Sequence, residues 1–368
     1  MKRILQIVGR MGYGGIETFL MNIYRNIDRT KVQFDFAVTK GKSGEYEEEI
    51  KTLGGKIYYF PERKNIKEYK KKWYDFFREH KEFECVHMHV SSLSNIIPIK
   101  AASANKIKKR YIHSHNTYQQ GILHNILNQT NKINLNRYAT ELFACSQEAG
   151  KYSFGNKKFE IIKNGIDAKQ YEFDKAKREK IRNKFKILDN QIAFLHIGRF
   201  TYQKNHEFLI DVFSEIIKIK PNSLLYLIGE GELEGQVKEK VKKLEIGDNV
   251  IFLGTQKDIS EIMQGMDAFI FPSLYEGLGI VAIEAQAAGL KVFASDTIPE
   301  EVKITELVSF ISLKKSKQEW AYNILKNLEK EKLRKKNYEQ IKNSGYDIKY
   351  TTEKLENYYE MEECENLE

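Results

Sequence analysis

Short apolar runs alternate along the chain with longer stretches in which apolar residues recur at helical spacing. The first half contains seven runs of strand length, namely Arg3–Val8, Gln33–Val38, Lys56–Phe60, Cys85–His89, Arg110–His113, Glu141–Ala144 and Phe159–Ile162. The stretches between them predict helices, among them Ile16–Asn26, Ile66–Glu79 and Ser92–Ala104. Because strands separated by helices form βαβ units, this alternation predicts a parallel sheet covered by helices.

The same alternation starts again after residue 165. Six further runs predict the strands Ile192–Ile197, Ser223–Ile228, Asn249–Leu253, Ala268–Phe271, Lys291–Ala294 and Val308–Ile311, and the helices between them include His206–Ile219 and Leu233–Leu244. Asn164-Gly165 lies between the two sets and is a strong turn signal, so we place a domain boundary there. We expect an α/β fold with two Rossmann-like domains, residues 1–165 and 166–346, whose parallel sheets face a central cleft. Ligands of such sheets bind beyond the carboxyl ends of the strands, so those ends are the first place to look for function.

Composition narrows the class of protein. Of the 368 residues, 41% are hydrophobic and 30% are charged, as in ordinary soluble globular proteins. No apolar run approaches the roughly 18 residues of a membrane-spanning helix, and we interpret the apolar N-terminus as a buried strand rather than a signal peptide. Three cysteines, Cys85, Cys145 and Cys364, are few and widely spaced. This usage fits a reduced, cytoplasmic protein and provides no zinc-finger spacing.

Charge is uneven along the chain. Residues 1–165 carry 29 Lys and Arg against 16 Asp and Glu, whereas the remainder carries 31 against 35. The basic residues of the first half cluster at Arg63–Lys72 and at Lys106–Arg110. A solvated surface is the ordinary interpretation. The alternative is an anionic partner, and a membrane surface or a phosphate-bearing lipid is favoured over nucleic acid, because no nucleic-acid recognition motif accompanies the charge.

The first predicted strand ends in a glycine-rich turn, Gly9-Arg10-Met11-Gly12-Tyr13-Gly14-Gly15. Glycines allow the backbone to approach a ligand closely, and the helix that follows favours an anion at its N-terminus. The spacing differs from the dinucleotide fingerprint, and no acidic residue clearly ends the second strand, which disfavours a nicotinamide cofactor. A tight turn without a ligand is the alternative.

A loop in the second domain carries two cations. Gly198–Asn205 follows a predicted strand and contains Arg199 and Lys204. The planar fork of Arg and the point charge of Lys together suit a diphosphate. The ordinary alternative is a solvated loop.

The segment Pro272–Ala285 gives the strongest signal of chemistry. It joins a predicted strand to a helix and carries Glu276 and Glu284. Carboxylates accept hydrogen bonds from the vicinal hydroxyls of a sugar or a ribose. Four backbone N–H groups at the start of the helix can donate to hydroxyl or phosphate oxygens, those of Gly277, Leu278, Gly279 and Ile280. The alternative is a helix cap with a surface glutamate.

The E-x7-E spacing of Glu276 and Glu284, with the Gly-Arg…Lys loop upstream, resembles the retaining glycosyltransferases of family 4. That family has the two-domain GT-B fold, and the likeness is greatest to bacterial enzymes of capsule or exopolysaccharide synthesis. The resemblance implies that Arg199 and Lys204 bind the donor diphosphate, that Glu276 and the amides of 277–280 hold the donor sugar, and that Glu284 holds the ribose. It also implies that Gly14 and Gly15 face the donor phosphates and the acceptor, and that a helix at about 347–368 packs back on the first domain.

Two pairs of histidines end predicted strands of the first domain: His87 with His89, and His113 with His115. Residues two apart on a strand share a face, so each pair points one way. Core histidines, a metal site of four imidazoles and a substrate contact are the competing interpretations. The resemblance favours His113 as a catalytic contact, with His115 on the acceptor side.

The expected activity is that of a hexosyltransferase. It would move a sugar from a nucleotide-sugar, with a UDP-sugar favoured, to a hydroxyl of a lipid-linked or other saccharide acceptor, with retention and at the inner face of the cell membrane. The chain contains no Asp-x-Asp pair, so we expect Arg199 and Lys204 to hold the diphosphate without a metal ion, and no cofactor. The alternatives are a UDP-sugar 2-epimerase and a non-catalytic subunit that binds a nucleotide-sugar.

Overall fold

A computed structural model describes residues 1–39, 44–116, 122–328 and 334–361. The chain divides into two compact units, residues 1–166 together with the residues from 345 onward, and residues 167–344. The sequence analysis placed these boundaries at residues 165 and 347. The C-terminal part of the predicted last helix, residues 362–368, lies outside the described residues.

The strands, in chain order, are β1 Lys2–Val8, β2 Val32–Val38, β3 Ile57–Tyr59, β4 Phe83–Val90, β5 Lys109–Ser114, β6 Glu141–Ala144, β7 Glu160–Ile161, β8 Ile192–Ile197, β9 Ser223–Ile228, β10 Val250–Phe252, β11 Ala268–Phe271, β12 Lys291–Ser295 and β13 Val308–Ile311. All thirteen fall where the sequence predicted a strand, and each end lies within two residues of its predicted position.

The α-helices, in chain order, are α1 Gly15–Asn26, α2 Glu47–Thr52, α3 Ile66–Glu79, α4 Ile97–Ala104, α5 Ile122–Ile133, α6 Gln147–Phe154, α7 Ala168–Tyr171, α8 Lys175–Lys184, α9 His206–Ile219, α10 Glu234–Lys243, α11 Ile259–Gly265, α12 Ile280–Ala287, α13 Lys317–Leu328, α14 Tyr338–Ile341 and α15 Ile348–Glu360. Among the described residues, no helix has both the length and the apolar character required to cross a membrane.

Each unit contains one parallel sheet of the doubly wound type. The order is β3-β2-β1-β4-β5-β6-β7 in the first unit and β10-β9-β8-β11-β12-β13 in the second. The strand order reverses beside β1 in the first sheet and beside β8 in the second. These reversal points are where open parallel sheets bind ligands, at the carboxyl ends of the strands. The predicted fold class is therefore confirmed.

One predicted helix begins later than expected. The sequence predicted a helix over Ser92–Ala104, but α4 begins only at Ile97. Pro98 lies in its first turn, the one part of a helix where a missing N–H costs little. The preceding residues form a loop, in which the amide of Leu93 donates to Asn128 Oδ1 at 2.7 Å. That contact comes from a residue distant in sequence and leaves no local signal.

The last described helix, α15, belongs to the first unit. Its apolar residues Leu355 and Tyr359 join the core cluster formed by β1, β2 and α1. Gly165 explains how the chain passes beneath this helix, because a Cβ there would lie 2.8 Å from the Ile348 Cα. The amide of Ile166 donates to the Tyr346 carbonyl at 2.9 Å on the same stretch. The Asn-Gly signal therefore reflects a close backbone approach.

Candidate active site

The adjacent strands β8 and β11 bring two predicted loops to one edge of the second sheet. The two strands pair at Ala268 with Phe194 and at Phe269 with Leu195. The loop after β8 carries Arg199 and Lys204, and the loop after β11 carries Glu276. Sequence separates these loops by about seventy residues, but the strand order makes them neighbours at the ligand-binding edge.

Lys204 and Glu276 form an ion pair. The distance from Lys204 Nζ to Glu276 Oε1 is 2.6 Å, and the two side chains are 18% and 9% exposed. Gln203 Nε2 donates to the second carboxylate oxygen at 3.2 Å, and the ammonium lies 5.0 Å from the Phe271 ring centroid. A charge that is nearly buried requires an opposite charge beside it. Lys204 and Glu276 provide this for each other when no ligand is bound.

The backbone around Lys204 fixes the direction of its side chain. A Cβ on Gly198 would lie 2.9 Å from Lys204 Cδ, so the lysine stem rests directly on that glycine. Asn205 has a left-handed φ of 56°, and its Nδ2 donates to the Pro272 carbonyl at 3.1 Å. The amide of Leu274 donates to the Gln203 carbonyl at 2.8 Å. The two loops therefore hold each other in place.

The start of α12 requires a glycine. Gly279 is the N-cap residue with a φ of +91°, and a Cβ there would lie 2.9 Å from Phe271 Cε1. Leu278, just before it, is buried. The N-terminus of α12, with its partial positive charge, follows Glu276 after an interval of three residues. This arrangement suits hydroxyl and phosphate oxygens.

Glu284 lies in the second turn of α12 and is only 7% exposed. Burial raises the pKa of its carboxyl to about 7, against the opposing effect of a hydrogen bond with the Tyr171 side chain. A carboxyl with this pKa is partly protonated at neutral pH. A ligand that donates hydrogen bonds to it favours the ionised form.

Arg199 lies at the surface of its loop. Within the described part of the chain, no hydrogen bond or ion pair is recorded for its guanidinium. The structure therefore brings Lys204 and Glu276 into contact and leaves Arg199 exposed on the same loop.

In the first unit, the glycine turn leads directly into α1. Gly14 is the N-cap residue, and a Cβ on it would meet the carboxylate of Glu17. A Cβ on Gly15 would have no heavy atom within 4 Å. Among the described residues, none would clash with a Cβ at position 15. The fold therefore does not require a glycine there, and the space is open to a ligand.

The four histidines lie together on one face of the first sheet. His89 is opposite His113 in the pairing of β4 with β5, and the ring centroids of His113 and His115 are 4.1 Å apart. The sequence placed His113 at a strand end, but β5 continues to Ser114 and His113 is 0% exposed. His115, which is half-buried, is the residue that follows the strand. A substrate contact of His113 stays a prediction.

Nitrogen atoms of His87, His89 and His113 lie within 4.8 Å of one another, the spacing that a metal ion would need. Both nitrogens of His89 are already engaged, however, Nδ1 with His115 Nε2 at 3.0 Å and Nε2 with Gln6 Oε1 at 2.9 Å. His87 Nδ1 lies 2.6 Å from the Tyr359 hydroxyl. Metal binding would have to break one of the bonds of His89, so the donor set does not fit a preformed site.

Comparison with known proteins decides the family. Residues 177–344 match the family model described as glycosyl transferases group 1. The chain is 33% identical over 339 residues to the putative glycosyltransferase EpsF of Bacillus subtilis (strain 168), covering 88% of this chain and 87% of the relative. The chain belongs to the group 1 glycosyltransferases. The predicted family and enzyme class are confirmed.

Two further matches extend over nearly the whole glycosyltransferase. The capsular polysaccharide biosynthesis glycosyltransferase CapH of Staphylococcus aureus is 25% identical over 373 residues, covering 98% of this chain and 99% of the relative. The crystal structure of Anabaena Alr3699/HepE in complex with UDP and glucose has a TM-score of 0.81 at 18% identity, covering 98% of this chain and 100% of that one. The structural match confirms the GT-B fold.

One basic cluster of the glycosyltransferase is partly structural. Lys109 is 9% exposed and its Nζ donates to the Tyr358 and Tyr359 carbonyls at 2.9 Å, at the end of α15. Arg110 donates from Nε to the Tyr138 carbonyl at 2.6 Å. The interpretation of Lys106–Arg110 as a surface for an anionic partner is therefore wrong for these two residues. The charged groups of Lys109 and Arg110 instead donate hydrogen bonds to backbone carbonyls.

Sequence reasoning missed several residues that contact the predicted site residues within each unit. Gln203 and Tyr171 contact the two glutamates, and Gln6 and Tyr359 contact the histidines. Gln203 adjoins Lys204, so its loop position was a usable signal. Gln6 interrupts the apolar run Ile4–Val8 of β1, a pattern that only the tertiary contacts explain.

Proposed function

We propose that this glycosyltransferase moves a sugar from a UDP-sugar to a hydroxyl of a lipid-linked saccharide, with retention at the anomeric carbon, in the synthesis of a capsule or exopolysaccharide. The observation that carries the proposal is the ion pair of Lys204 and Glu276 at the start of α12. The name of CapH supports the polysaccharide, and the presence of UDP and glucose in the HepE structure supports the donor.

Lys204 and Arg199 bind the donor diphosphate in this proposal. When the bond from the sugar to the diphosphate breaks, negative charge develops on the leaving phosphate oxygens. Cations and backbone N–H groups that are already oriented stabilise this charge more than mobile water does, typically by several kcal/mol. When the donor binds, before any bond breaks, its phosphate replaces Glu276 as the partner of Lys204. The Glu276 carboxylate is then released to accept hydrogen bonds from the donor sugar.

Retention follows from attack on the face that the leaving group occupied. The acceptor hydroxyl forms the new bond to the anomeric carbon as the bond to the diphosphate breaks. The departing phosphate oxygen takes the acceptor proton. In this scheme no protein side chain forms a covalent bond to the sugar, and Glu276 orients the donor.

The described surface at the start of α3 supports an acceptor at a membrane. Lys64, just before the helix, and Lys71, within it, are 88% and 79% exposed, although each pairs with an acidic neighbour, Glu62 and Asp75. Ile66 beside them is 50% exposed. Each Lys or Arg near an anionic surface contributes about 1 kcal/mol of attraction. We propose that this surface places the enzyme peripherally on the inner face of the cell membrane, where a lipid-linked acceptor would lie.

The test is transfer activity with a panel of UDP-, GDP- and ADP-sugars and a lipid-linked saccharide acceptor. Lys204→Ala and Arg199→Ala should each abolish transfer while a circular dichroism spectrum shows an unchanged fold. Lys242→Ala, which removes an exposed lysine from the end of α10, is the matched control and should be fully active. Near-normal turnover in both loop variants would refute the diphosphate assignment.

Three further measurements separate the parts of the proposal. The anomeric coupling constant of the product reports retention or inversion directly. Incubation with UDP-N-acetylglucosamine alone reveals any isomerised sugar, the result expected of a 2-epimerase. For the membrane surface, the joint variant Lys64→Glu, Lys71→Glu should lose binding to anionic vesicles at low salt. Equal binding to neutral and anionic vesicles would contradict the surface.

A further inference from the structure

The first sheet carries a row of polar side chains where an apolar core is expected. Gln6, His87 and His113 are each 0% exposed, and His89 is 7% exposed. Burial keeps these imidazoles neutral, since it lowers the pKa of His87 to about 3 and that of His89 well below its usual value. Buried polar groups destabilise a fold unless they are hydrogen-bonded, so their partners require an account.

All of these groups except His113 belong to one continuous chain of hydrogen bonds, whereas neither ring nitrogen of His113 has a partner among the described residues. The Gln6 amide donates from Nε2 to the Tyr359 hydroxyl at 3.2 Å, and its Oε1 lies 2.9 Å from His89 Nε2. His89 Nδ1 in turn lies 3.0 Å from His115 Nε2. The chain runs from α15, through β1 and β4, to the residue that follows β5.

The orientation of the Gln6 amide determines which ring nitrogen carries the proton in His89 and then in His115. Because Gln6 Oε1 can only accept, His89 carries its proton on Nε2 and leaves Nδ1 as an acceptor. His115 must therefore donate from Nε2, which leaves its Nδ1 without a proton. The Tyr359 hydroxyl accepts from Gln6 and gives its own hydrogen to His87 Nδ1 at 2.6 Å. His87 then carries its own proton on Nε2, which makes no hydrogen bond within the described residues.

The far end of the hydrogen-bond chain is an acceptor, His115 Nδ1. This nitrogen is buried, and within the described residues it makes no hydrogen bond. The backbone of His115 is fixed, because its amide donates to the Val90 carbonyl at 2.9 Å. Phe19 of α1 packs against its ring, with the centroids 5.5 Å apart. A neutral imidazole held in this way suits a ligand hydroxyl, which can donate the missing hydrogen bond.

We propose that Tyr359, Gln6 and His89 are positioning residues, which hold His115 as the Nε2–H tautomer so that its Nδ1 accepts a hydrogen bond from a sugar hydroxyl. This inference rests on the proposed function. It gives α15 a part in the activity, because the Tyr359 hydroxyl gives its hydrogen to His87 Nδ1, can then only accept from Gln6, and so holds the Gln6 amide in one orientation. Without that hydroxyl the Gln6 amide can rotate and exchange the positions of its oxygen and nitrogen. The proton of each imidazole along the hydrogen-bond chain can then move to the other ring nitrogen.

The matched pair Tyr359→Phe and Tyr111→Phe tests this role. Each variant removes one buried hydroxyl that binds between the sheet and α15, since the Tyr111 hydroxyl donates to the Tyr358 carbonyl at 2.8 Å. A merely structural role predicts similar losses of stability and the same activity for the two variants. The inference predicts a change in the His115 tautomer and a fall in kcat of about 10–100-fold for Tyr359→Phe alone, the scale expected when a reacting group is misplaced.

The tautomer is read from two-bond 1H–15N spectra of protein labelled with [15N]histidine, with the His115 signals assigned by a His115→Gln variant. The wild type should show His115 protonated on Nε2, Tyr359→Phe and Gln6→Leu should show a mixture of tautomers, and Tyr111→Phe should match the wild type. Protonation on Nδ1 in the wild type, or equal kcat in the two tyrosine variants, would overturn the inference. A wild-type protein that forms the Nε2–H tautomer but transfers no sugar would instead refute the proposed function.

Discussion

Glu284 offers a sharp test of the donor site, because one isosteric change should move stability and binding in opposite directions. Glu284→Gln removes the charge and keeps an oxygen that can accept from Tyr171. The wild-type carboxyl has a pKa of about 7 in the folded protein, against 4.5 for an unperturbed glutamate. A raised carboxyl pKa means that the folded state binds the proton more tightly than the unfolded state. Stability is therefore lost as the pH rises from the unfolded pKa to the folded one.

The size of the effect follows from the pKa difference. A shift from 4.5 to about 7 corresponds to a penalty of about 3 kcal/mol at pH 8 and about 1 kcal/mol at pH 5. The glutamine variant should therefore gain about 2 kcal/mol more at pH 8 than at pH 5. For a unit of this size that is a difference of roughly 4–8 °C in Tm. Protonation of the buried histidines of the first unit at low pH destabilises the wild type and the variant alike. The comparison of the two proteins therefore isolates the effect of Glu284.

Donor binding should respond in the opposite sense. If ribose hydroxyls donate to Glu284, binding requires the carboxylate. Its ionised fraction falls about 30-fold between pH 8 and pH 5.5 for a pKa of about 7. Calorimetric titration with UDP-glucose or UDP-N-acetylglucosamine should show wild-type affinity falling with pH by up to this factor. Glu284→Gln should bind weakly at every pH.

The control is Glu306→Gln, since Glu306 is 97% exposed and precedes β13 at the opposite edge of the sheet. It should change neither Tm nor affinity. A glutamine variant at position 284 with a pH-independent gain in Tm would show that the carboxyl is not held with a raised pKa. Unchanged binding of UDP-sugars in that variant would refute the ribose contact.

Three further results are expected. Gly198→Ala should leave the fold intact but displace the Lys204 stem, whose Cδ lies 2.9 Å from the new Cβ, and should lower kcat at least tenfold; activity equal to wild type would show that the lysine need not rest on the glycine. Gly15→Ala should keep the wild-type Tm, because no heavy atom of the described residues outside the local helix backbone lies within 4 Å of the new Cβ, yet weaken binding of donor or acceptor; unchanged kinetics would remove position 15 from the site. Transfer by protein treated with EDTA should persist, because Arg199 and Lys204 provide the charge for the diphosphate; loss of transfer that added Mg²⁺ restores would show that a metal ion holds it.

The strands were predictable because their signal is local. A run such as Ala268–Phe271 is short, apolar and bounded by turn residues, which favours a buried strand of a parallel sheet. The sequence did not predict the pairing of Lys204 with Glu276, because it depends on β8 and β11 being neighbours. Strand order depends on the whole chain. A motif search therefore identifies Lys204 and Glu276 separately but does not show that they contact each other.

The histidines show where local reasoning fails. The i, i+2 rule correctly places His113 and His115 on one face, but it does not say which of them emerges from the sheet. One additional residue at the end of β5 decides that, and strand ends are the least certain part of a pattern. The late start of α4 has the same kind of cause, since a contact with Asn128 keeps the preceding residues out of the helix.

The two sheets share a strand order but present different chemistry at their ligand-binding edges. The second unit places an ion pair and a helix N-terminus beside β8 and β11, a combination that suits the charge of a diphosphate. The first unit places neutral, buried imidazoles and an open glycine beside β1, β4 and β5. Neutral acceptors discriminate hydroxyl groups by hydrogen-bond geometry rather than by charge. A sugar transferase needs both properties, because its donor must lose a charged leaving group while the acceptor hydroxyl that attacks must be chosen among chemically similar neighbours.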